Sequence, residues 1–298
     1  NGSTLNLHSV IISGNISFIW SAQSTGGGIY ALNAYTNIDH CLFVNNQAAW
    51  QMWSSMAYPL GGAIYNGKNN INDSSFINNF AHGSGAAIYG GQNNIVRCTF
   101  IGNSSGREGG AIGDGTNTIN NSIFRDNYSG RAGGAIAGIT EYANCINDIT
   151  NCTFVGNSAA DFQSGAICNG INTIRNSIFW YNTMGGVPHQ INMGSSSIVY
   201  SNIQGSWLGV GNINITPNFV SGPTADMHLT AGSAGIDAGT INASVTTDIE
   251  GRPRPIYGAY DMGAYEYEEV YVNNYSPASG ATEVPLNTDI SFRLRDSL

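Results

Sequence analysis

The chain has 298 residues, of which 42% are hydrophobic and 10% charged, and its formal net charge is −9. This composition differs from that of a disordered chain and allows a long buried core. A single lysine, Lys68, leaves no basic stripe for phosphate contacts, so we expect no nucleic-acid partner. The sequence also lacks an apolar run of membrane-spanning length.

A short repeat occupies the first two thirds of the chain. Its anchor is a phenylalanine followed three residues later by asparagine, and successive anchors from Phe76 to Phe179 lie 24, 24, 30 and 25 residues apart. This period is too short for helix-pair repeats and is typical of one coil of a parallel β-solenoid. The anchor column reads Ile12, Phe43, Phe76, Phe100, Phe124, Phe154, Phe179 and Ile203.

Two further apolar columns accompany the anchors. One lies five residues before each anchor, from Leu7 to Ile198, and the other contains Ile64, Ile88 and Ile112. Because like side chains of stacked coils lie about 4.8 Å apart, the columns predict a continuous apolar core. We therefore predict an all-β, single-stranded parallel β-helix with three sheets and about eight coils over residues 1–211.

Asparagines three residues after the anchors form a polar column. Stacked amides can hydrogen-bond from coil to coil, so we predict a structural ladder. Its members are Asn46, Asn79, Asn103, Asn127, Asn157 and Asn182. A second series, from Asn69 to Asn172, lies beside glycine-rich turns.

The cysteines do not form an obvious disulfide framework. Cys41, Cys98 and Cys152 share one register and lie two coils apart, which is too far for a bridge, so we expect buried thiols. Cys145 and Cys168 lie on neighbouring coils at a looser register, and a bridge between them is left open.

Aromatic residues suggest two binding surfaces. Tyr30, Tyr65 and Tyr89 each follow an inward isoleucine, and a ladder of outward rings could bind sugar rings, although tyrosine also simply favours strands. An insertion containing Trp50 and Trp53 could form a lid that packs on the solenoid or a contact for another molecule.

Candidate catalytic groups are few. Arg107, Glu108 and Arg131 are the best local cluster, since the two arginines share a register and could hold an acidic sugar; the alternative is a surface ion pair. The five histidines occupy unrelated registers, and we expect no histidine metal site.

The repeat ends near Ser206, and we predict a cap over residues 212–268 that closes the open end of the solenoid. Asp248 and Asp261 belong to a charged cluster there, which could pair with arginines or hold calcium. Residues 269–298 read as a linker and an incomplete β-domain.

Three resemblances accompany these patterns. Gly-Gly-Ala-Ile (61–64, 109–112, 133–136) with Phe-x-x-Asn resembles the repeats of polymorphic outer-membrane proteins among autotransporter adhesins. Residues 214–220, 229–239, 248–255 and 261–266 look like the end of choice-of-anchor surface proteins, which implies a right-handed β-helix. The segment from Tyr275 is similar to the opening strands of bacterial Ig-like domains. Together they imply a secreted, surface-displayed, multidomain protein.

These observations favour a non-catalytic extracellular module of a larger bacterial surface protein. We expect an adhesin or a fibre component whose partners are glycans, cell-surface proteins or further copies of itself, with no cofactor unless calcium is bound. The alternative is a polysaccharide lyase or glycoside hydrolase on a pectate-lyase-like β-helix, which requires convergent carboxylates. Fold alone does not decide between them.

Overall fold

The computed structural model describes residues 2–19, 26–50, 58–138, 145–161, 163–192, 195–222, 225–276 and 291–296. Residues 1–266 form one compact unit and residues 267–298 a second. The regular elements of the described residues are all β-strands. None of these residues belongs to a helix with the length and hydropathy needed to cross a membrane.

The first unit is a right-handed parallel β-helix of about eight coils, and the predicted fold class is confirmed. In each coil but the last the chain visits four sheets in turn, and the last coil has strands in the first two. The first sheet, of eight strands, contains Thr4–His8, Tyr35–Asp39, Lys68–Asn72, Gln92–Val96, Gly115–Asn120, Cys145–Thr150, Ile171–Arg175 and Ser195–Val199. The second sheet, also of eight, contains Ile11–Ser13, Leu42–Val44, Ser75–Ile77, Thr99–Ile101, Ile123–Arg125, Thr153–Val155, Ile178–Trp180 and Asn202–Ile203.

The other two sheets are built from shorter strands. The third contains Ile16–Ile19, Gln47–Trp50, Phe80–Ala81, Ser104–Ser105, Tyr128–Ser129, Ser158–Ala159, Thr183–Met184 and Val187–Pro188, the last of which is antiparallel. The fourth contains Ile29–Tyr30, Ile64–Tyr65, Ile88–Tyr89, Ile112–Gly113, Ile136–Ala137, Ile167–Cys168 and Ile191–Asn192.

The number of sheets differs from the three that the apolar columns predicted. The third sheet contributes small buried residues to the interior, and small residues leave no large apolar column in the sequence. They are Ala48, Ala81, Ser105, Ser129 and Ala159.

The phenylalanine column forms a continuous stack through the core. Neighbouring rings from Phe43 to Phe179 have centroids 4.6–4.9 Å apart and planes within 7° of each other. This spacing is that of parallel strands, so each ring lies over the equivalent ring of the next coil. The isoleucines of the first and fourth sheets complete the same cluster.

The asparagine ladder is buried and bonded from coil to coil. Asn79 is typical: its Nδ2 donates to Asn103 Oδ1 (2.9 Å) and to the Phe43 carbonyl (3.0 Å). Its Oδ1 accepts from the Asn46 backbone N–H and from Asn46 Nδ2, both at 3.0 Å. Gln190 ends the series by accepting from Asn182 Nδ2 at 2.7 Å. The second asparagine series forms a similar ladder, in which Asn93 donates to Asn117 at 2.7 Å.

The first glycine of the Gly-Gly-Ala-Ile motif is required by the backbone. Gly109 and Gly133 both have φ of +64°, and a Cβ there would lie 2.2 and 2.3 Å from the carbonyl oxygens of Ile112 and Ile136. Other residues are strained in this conformation and would also collide. The motif therefore encodes the tight corner that leads into the fourth sheet.

All five cysteines are free and buried. In their shared column, cysteine alternates with serine: the N–H of Cys98 donates to Ser122 Oγ at 3.1 Å, and that of Cys152 donates to Ser177 Oγ at 3.1 Å. Cys145 and Cys168, for which a bridge was left open, are both free thiols.

The C-terminal part of the first unit does not act only as an end cap. The end of the coils is covered by residues near Trp207, which packs against the main core, and by Ile213, whose N–H donates to the Ser201 carbonyl at 2.9 Å. The following residues lie along the outer face of the second sheet. There Leu229 and Met262 pack against Ile178 and Trp180.

Polar contacts bind this returning segment to three successive corners of the solenoid. Asn121 Nδ2 donates to the Thr247 carbonyl (2.7 Å), and Asn151 Nδ2 donates to the Asp261 carbonyl (3.0 Å). Asn176 Nδ2 donates to the Thr240 carbonyl at 2.7 Å. The segment thus covers the end of the coils near Trp207 and Ile213, and its later apolar residues also bury a lateral face of the solenoid.

In the second unit, Val270–Ser276 pairs with Ser291–Asp296 in an antiparallel arrangement. The residues between these strands lie outside the described part of the chain. An Ig-like domain beginning here stays a prediction.

Candidate functional site

The outer face of the first sheet is polar and open to solvent. Its strands alternate exposed and buried residues, so two side chains of each strand point outward. In the first strands these are mostly amides and hydroxyls, and they continue from coil to coil. Asn70 Nδ2 donates to Asn37 Oδ1 at 3.1 Å, and Asn37 Nδ2 donates to Asn6 Oδ1 at 2.7 Å.

A shallow groove of about 290 Å³ lies on this face. The chain's only lysine, Lys68, lies at its rim with Tyr35: Nζ donates to the tyrosine hydroxyl at 3.3 Å and is 5.1 Å from the ring centroid. None of the lining residues is acidic, although the chain carries net charge −9. The groove is lined by Tyr35, Lys68, Asn69, Asn70, Gln92, Asn93, Asn94, Thr116 and Thr118.

This combination suits a ligand rich in hydroxyl groups. Amides offer both donors and acceptors, and threonine hydroxyls do the same. Tyr35 supplies an apolar ring with a polar tip, and its side chain is half-exposed. Lys68 adds one cation that an acidic substituent could approach.

The three tyrosines predicted as a ladder do stack on the fourth sheet. Ring centroids of Tyr30 and Tyr65 are 5.3 Å apart, and those of Tyr65 and Tyr89 are 5.7 Å apart, with planes inclined by 2° and 17°. Because the rings lie face to face, Tyr65 is covered on both faces and Tyr89 on one, whereas Tyr30 ends the stack and is 54% exposed. Tyr65 and Tyr89 therefore offer mainly ring edges, whereas a sugar stacks on a ring face.

The stack ends at Gly113, beside the ring of Tyr89. The Tyr89 hydroxyl donates to Asp114 Oδ2 at 3.1 Å. Burial, together with the Asp114 carboxylate, raises the pKa of Tyr89 above its ordinary value. Tyr89 is thus neutral, and its hydroxyl donates a hydrogen bond that the Asp114 carboxylate accepts.

The structure brings the candidate catalytic residues Arg107, Glu108 and Arg131 together. Glu108 is buried, and its Oε1 is 3.1 Å from Arg131 Nη1 while its Oε2 is 3.6 Å from Arg107 Nε. Ser84 Oγ donates to the same Oε2 at 3.1 Å. Two guanidinium groups and a hydroxyl thus occupy both oxygens of this carboxylate, which suits a structural role better than proton transfer.

The side chains of the two predicted binding residues Trp50 and Trp53 are not described by the structure. Trp53 lies outside the described residues, and Trp50 is described only in its backbone, at the end of Gln47–Trp50. Their proposed contact surface stays a prediction. Tyr58 belongs to the same insertion, and Arg107 lies over its ring with Cζ 4.2 Å from the centroid.

The calcium candidates Asp248 and Asp261 are buried and surrounded by donors. Asp248 Oδ1 accepts from the N–H groups of Glu250 and Arg252, both at 2.8 Å, and its Oδ2 accepts from Glu266 N–H at 3.1 Å. Asp261 Oδ1 accepts from Asp237 N–H at 2.7 Å. Calcium prefers a shell of oxygen atoms, whereas these carboxylates are surrounded by N–H donors. This environment favours a structural role, in which the two aspartates hold the backbone of the segment by hydrogen bonds.

A buried ion pair completes this charged cluster. Arg254 Nη1 bonds Glu266 Oε2, and Arg254 Nη2 donates to the Gly263 carbonyl at 2.8 Å. Both side chains are almost fully buried. Their contact joins the two motifs of the C-terminal segment, the one that begins at Asp248 and the one that begins at Asp261.

One cluster of titratable side chains was not among the sites that the sequence predicted. His8 and His40 flank Asp39: His8 Nδ1 is 2.7 Å and His40 Nδ1 is 3.1 Å from Asp39 Oδ2. His8 and His40 do occupy different registers, four and three residues before the anchors Ile12 and Phe43, but both side chains contact Asp39. His8 and Asp39 each lie four residues before their anchors, Ile12 and Phe43, and this shared register was the available signal.

The stacked coils, internal ladders and polar lateral face define the class as a parallel β-helix repeat protein. Within that class, the Chlamydia polymorphic membrane protein repeat matches residues 73–91 and 97–113. These segments carry Phe76-x-x-Asn79 and Gly109-Gly-Ala-Ile112. Comparisons with curated proteins and with solved structures found no match.

Proposed function

We propose that this protein is a non-catalytic module displayed on a bacterial cell surface, where it binds a glycan through the polar groove of its first sheet. Surface display is supported by the similarity of two coils to repeats of Chlamydia polymorphic membrane proteins. The acidic, lysine-poor composition fits an exported protein as well. An adhesive role follows from display combined with a ligand surface.

The main support for glycan binding is the groove, which is lined by Tyr35, Lys68 and rows of amides and hydroxyls. Its rows repeat at the strand spacing of about 4.8 Å, because successive coils contribute equivalent outward positions. A polymer with a regular repeat can therefore meet similar donors and acceptors at each step along the axis. A sugar chain has such a repeat and presents hydroxyl groups throughout.

Binding without cleavage fits the distribution of acids. Glycoside hydrolysis uses paired carboxylates that flank the bond to be broken. The lining of the groove contains no acidic residue, and the buried Glu108 is neutralised by Arg107 and Arg131. Both observations favour a lectin-like surface over a lyase or hydrolase.

The proposal is tested by glycan-array screening followed by calorimetry with the best ligand. Combined Tyr35→Ala and Lys68→Ala substitution should weaken binding by at least about tenfold, which corresponds to about 1.4 kcal/mol. Thr173→Ala is the matched control, since Thr173 is exposed on the same sheet outside the groove. It should bind as the wild type does.

Two results would reject the groove: no glycan bound by the wild type, or equal binding by the double variant. Substituting Tyr65 and Tyr89 with alanine should leave binding unchanged, because their ring faces are largely covered. A parallel incubation with acidic and neutral polysaccharides should yield no new reducing ends or unsaturated products. Cleavage would favour the enzyme alternative.

A further inference from the structure

The corner of the first two coils carries two histidines around one carboxylate. One ring nitrogen of each histidine and a carboxylate oxygen of Asp39 all lie within 4.8 Å of one another. The imidazole rings have centroids 5.7 Å apart and are inclined by 58°. All three side chains are accessible, with exposed fractions of 70% for His8, 39% for Asp39 and 59% for His40.

The stacking of the coils places these groups together. His8 and Asp39 are direct partners in the first sheet, so their side chains occupy the same register on adjacent strands. His40 follows Asp39 at the corner and has φ of 50°, a left-handed conformation. Residues 31 positions apart thus converge because the coil returns to the same corner.

At the equivalent corner of the next coil, an aspartate is bonded by an arginine and not by histidines. Asp73 occupies the position equivalent to His40, and both of its oxygens are bonded by Arg97 at 2.7 Å. That pair is a fixed bidentate ion pair. At Asp39 the partners are imidazoles, which can be neutral and can donate a lone pair to a metal ion.

We propose that His8, Asp39 and His40 form a binding site for a divalent transition-metal ion, with Zn²⁺ as the best fit. Two imidazole nitrogens and one carboxylate oxygen are ligands that zinc commonly takes, whereas calcium and magnesium prefer oxygen alone. The ion replaces the two nitrogen–oxygen contacts by metal–ligand bonds of about 2.0–2.2 Å. Zinc is usually four-coordinate, so one position remains for water or for a ligand of another molecule.

Metal binding would have a structural consequence, because the ligands come from two successive coils. The ion would join Thr4–His8 to the coil of Tyr35–Asp39. A ligand that binds only the folded state stabilises it by mass action. Zinc should therefore raise the melting temperature of the wild-type protein, and it should do so less when a ligand is removed.

The test uses the protein without a histidine tag, titrated with Zn²⁺ against a chromophoric chelator. We expect one saturable site, with affinity reduced at least about tenfold in His8→Ala, His40→Ala and Asp39→Asn. Asp148→Asn is the matched control, since it removes one exposed negative charge from the same sheet. Its affinity should equal that of the wild type.

Circular dichroism and melting in the presence of EDTA establish that each variant is folded. Cobalt substitution gives a second readout, because its visible spectrum reports nitrogen and oxygen ligation directly. The proposal is overturned if the folded wild type shows no saturable zinc site, or if the single histidine variants bind zinc as tightly as the wild type.

Discussion

Each amide in the interior of the central asparagine ladder uses its full hydrogen-bonding capacity. Asn127 Nδ2 donates to Asn157 Oδ1 and to the Phe100 carbonyl, both at 2.9 Å. Its Oδ1 accepts from the backbone N–H and the amide of Asn103, at 3.0 and 2.9 Å. A buried amide is therefore stabilising here, whereas an unpaired one would be costly.

Asn127→Ala should destabilise the first unit by about 3 kcal/mol, because the two donors of Asn103 lose their buried acceptor. Urea unfolding followed by circular dichroism measures this difference. Asn94→Ala is the control, since Asn94 is exposed, and should change stability by less than about 0.5 kcal/mol. Equal effects of the two substitutions would show that the ladder contributes little.

At the scale of the element, the cysteine and serine column shows how the corner between the first and second sheets is bonded in successive coils. A small side chain accepts the N–H of the preceding coil, as Ser122 Oγ and Ser177 Oγ do. The thiols in this column are buried, and burial raises the pKa of Cys98 and of Cys152 to about 12. The thiolate, which is the reactive form, is therefore scarce at neutral pH.

We predict that Cys98, Cys145, Cys152 and Cys168 of the native protein are not alkylated by iodoacetamide at pH 8. Burial raises the pKa of each to about 12, so the thiolate fraction at pH 8 is about 10⁻⁴. Mass spectrometry of the native and the urea-unfolded protein measures the labelling. Unfolding without a reductant should expose five reactive thiols, whereas three would indicate a bridge between Cys145 and Cys168.

At the scale of the whole molecule, the returning C-terminal segment is bound to the solenoid by apolar contacts and one buried ion pair. Met227 and Ala264 pack against Ile123 and Val155, and Leu229 and Met262 pack against Ile178 and Trp180 of the next coil. Burial lowers the pKa of Arg254, and the Glu266 carboxylate opposes that effect. Removing either partner leaves a buried charge without its counterion.

Two truncations test this arrangement. A chain that ends at Glu268 retains Glu266 and should unfold at the same temperature as the full chain, since residues 1–266 form their own compact unit. A chain that ends at Tyr265 lacks Glu266 and should lose about 3–5 kcal/mol. Calorimetry measures both. Similar melting of the two truncated chains would contradict a stabilising role for the Arg254–Glu266 pair.

Sequence periodicity alone predicted the β-helix, the anchor stack and the asparagine ladder. These features repeat at fixed spacing, and parallel stacking brings equal registers together whatever the length of an insertion. Phe124 and Phe154 are 30 residues apart, for example, yet their rings lie 4.6 Å apart. The cluster of Arg107, Glu108 and Arg131 was predictable for the same reason.

Only the tertiary structure revealed the fourth side of the coil, the lateral position of the C-terminal segment and the site around Asp39. Small residues such as Ala81 and Ser105 give no apolar signal, and the contact of Leu229 with Ile178 follows no repeat. The position of His40 beside His8 depends on a corner conformation. The sequence period specifies which residues occupy the same register in successive coils. The path of the backbone at the corners decides which residues of different registers come into contact.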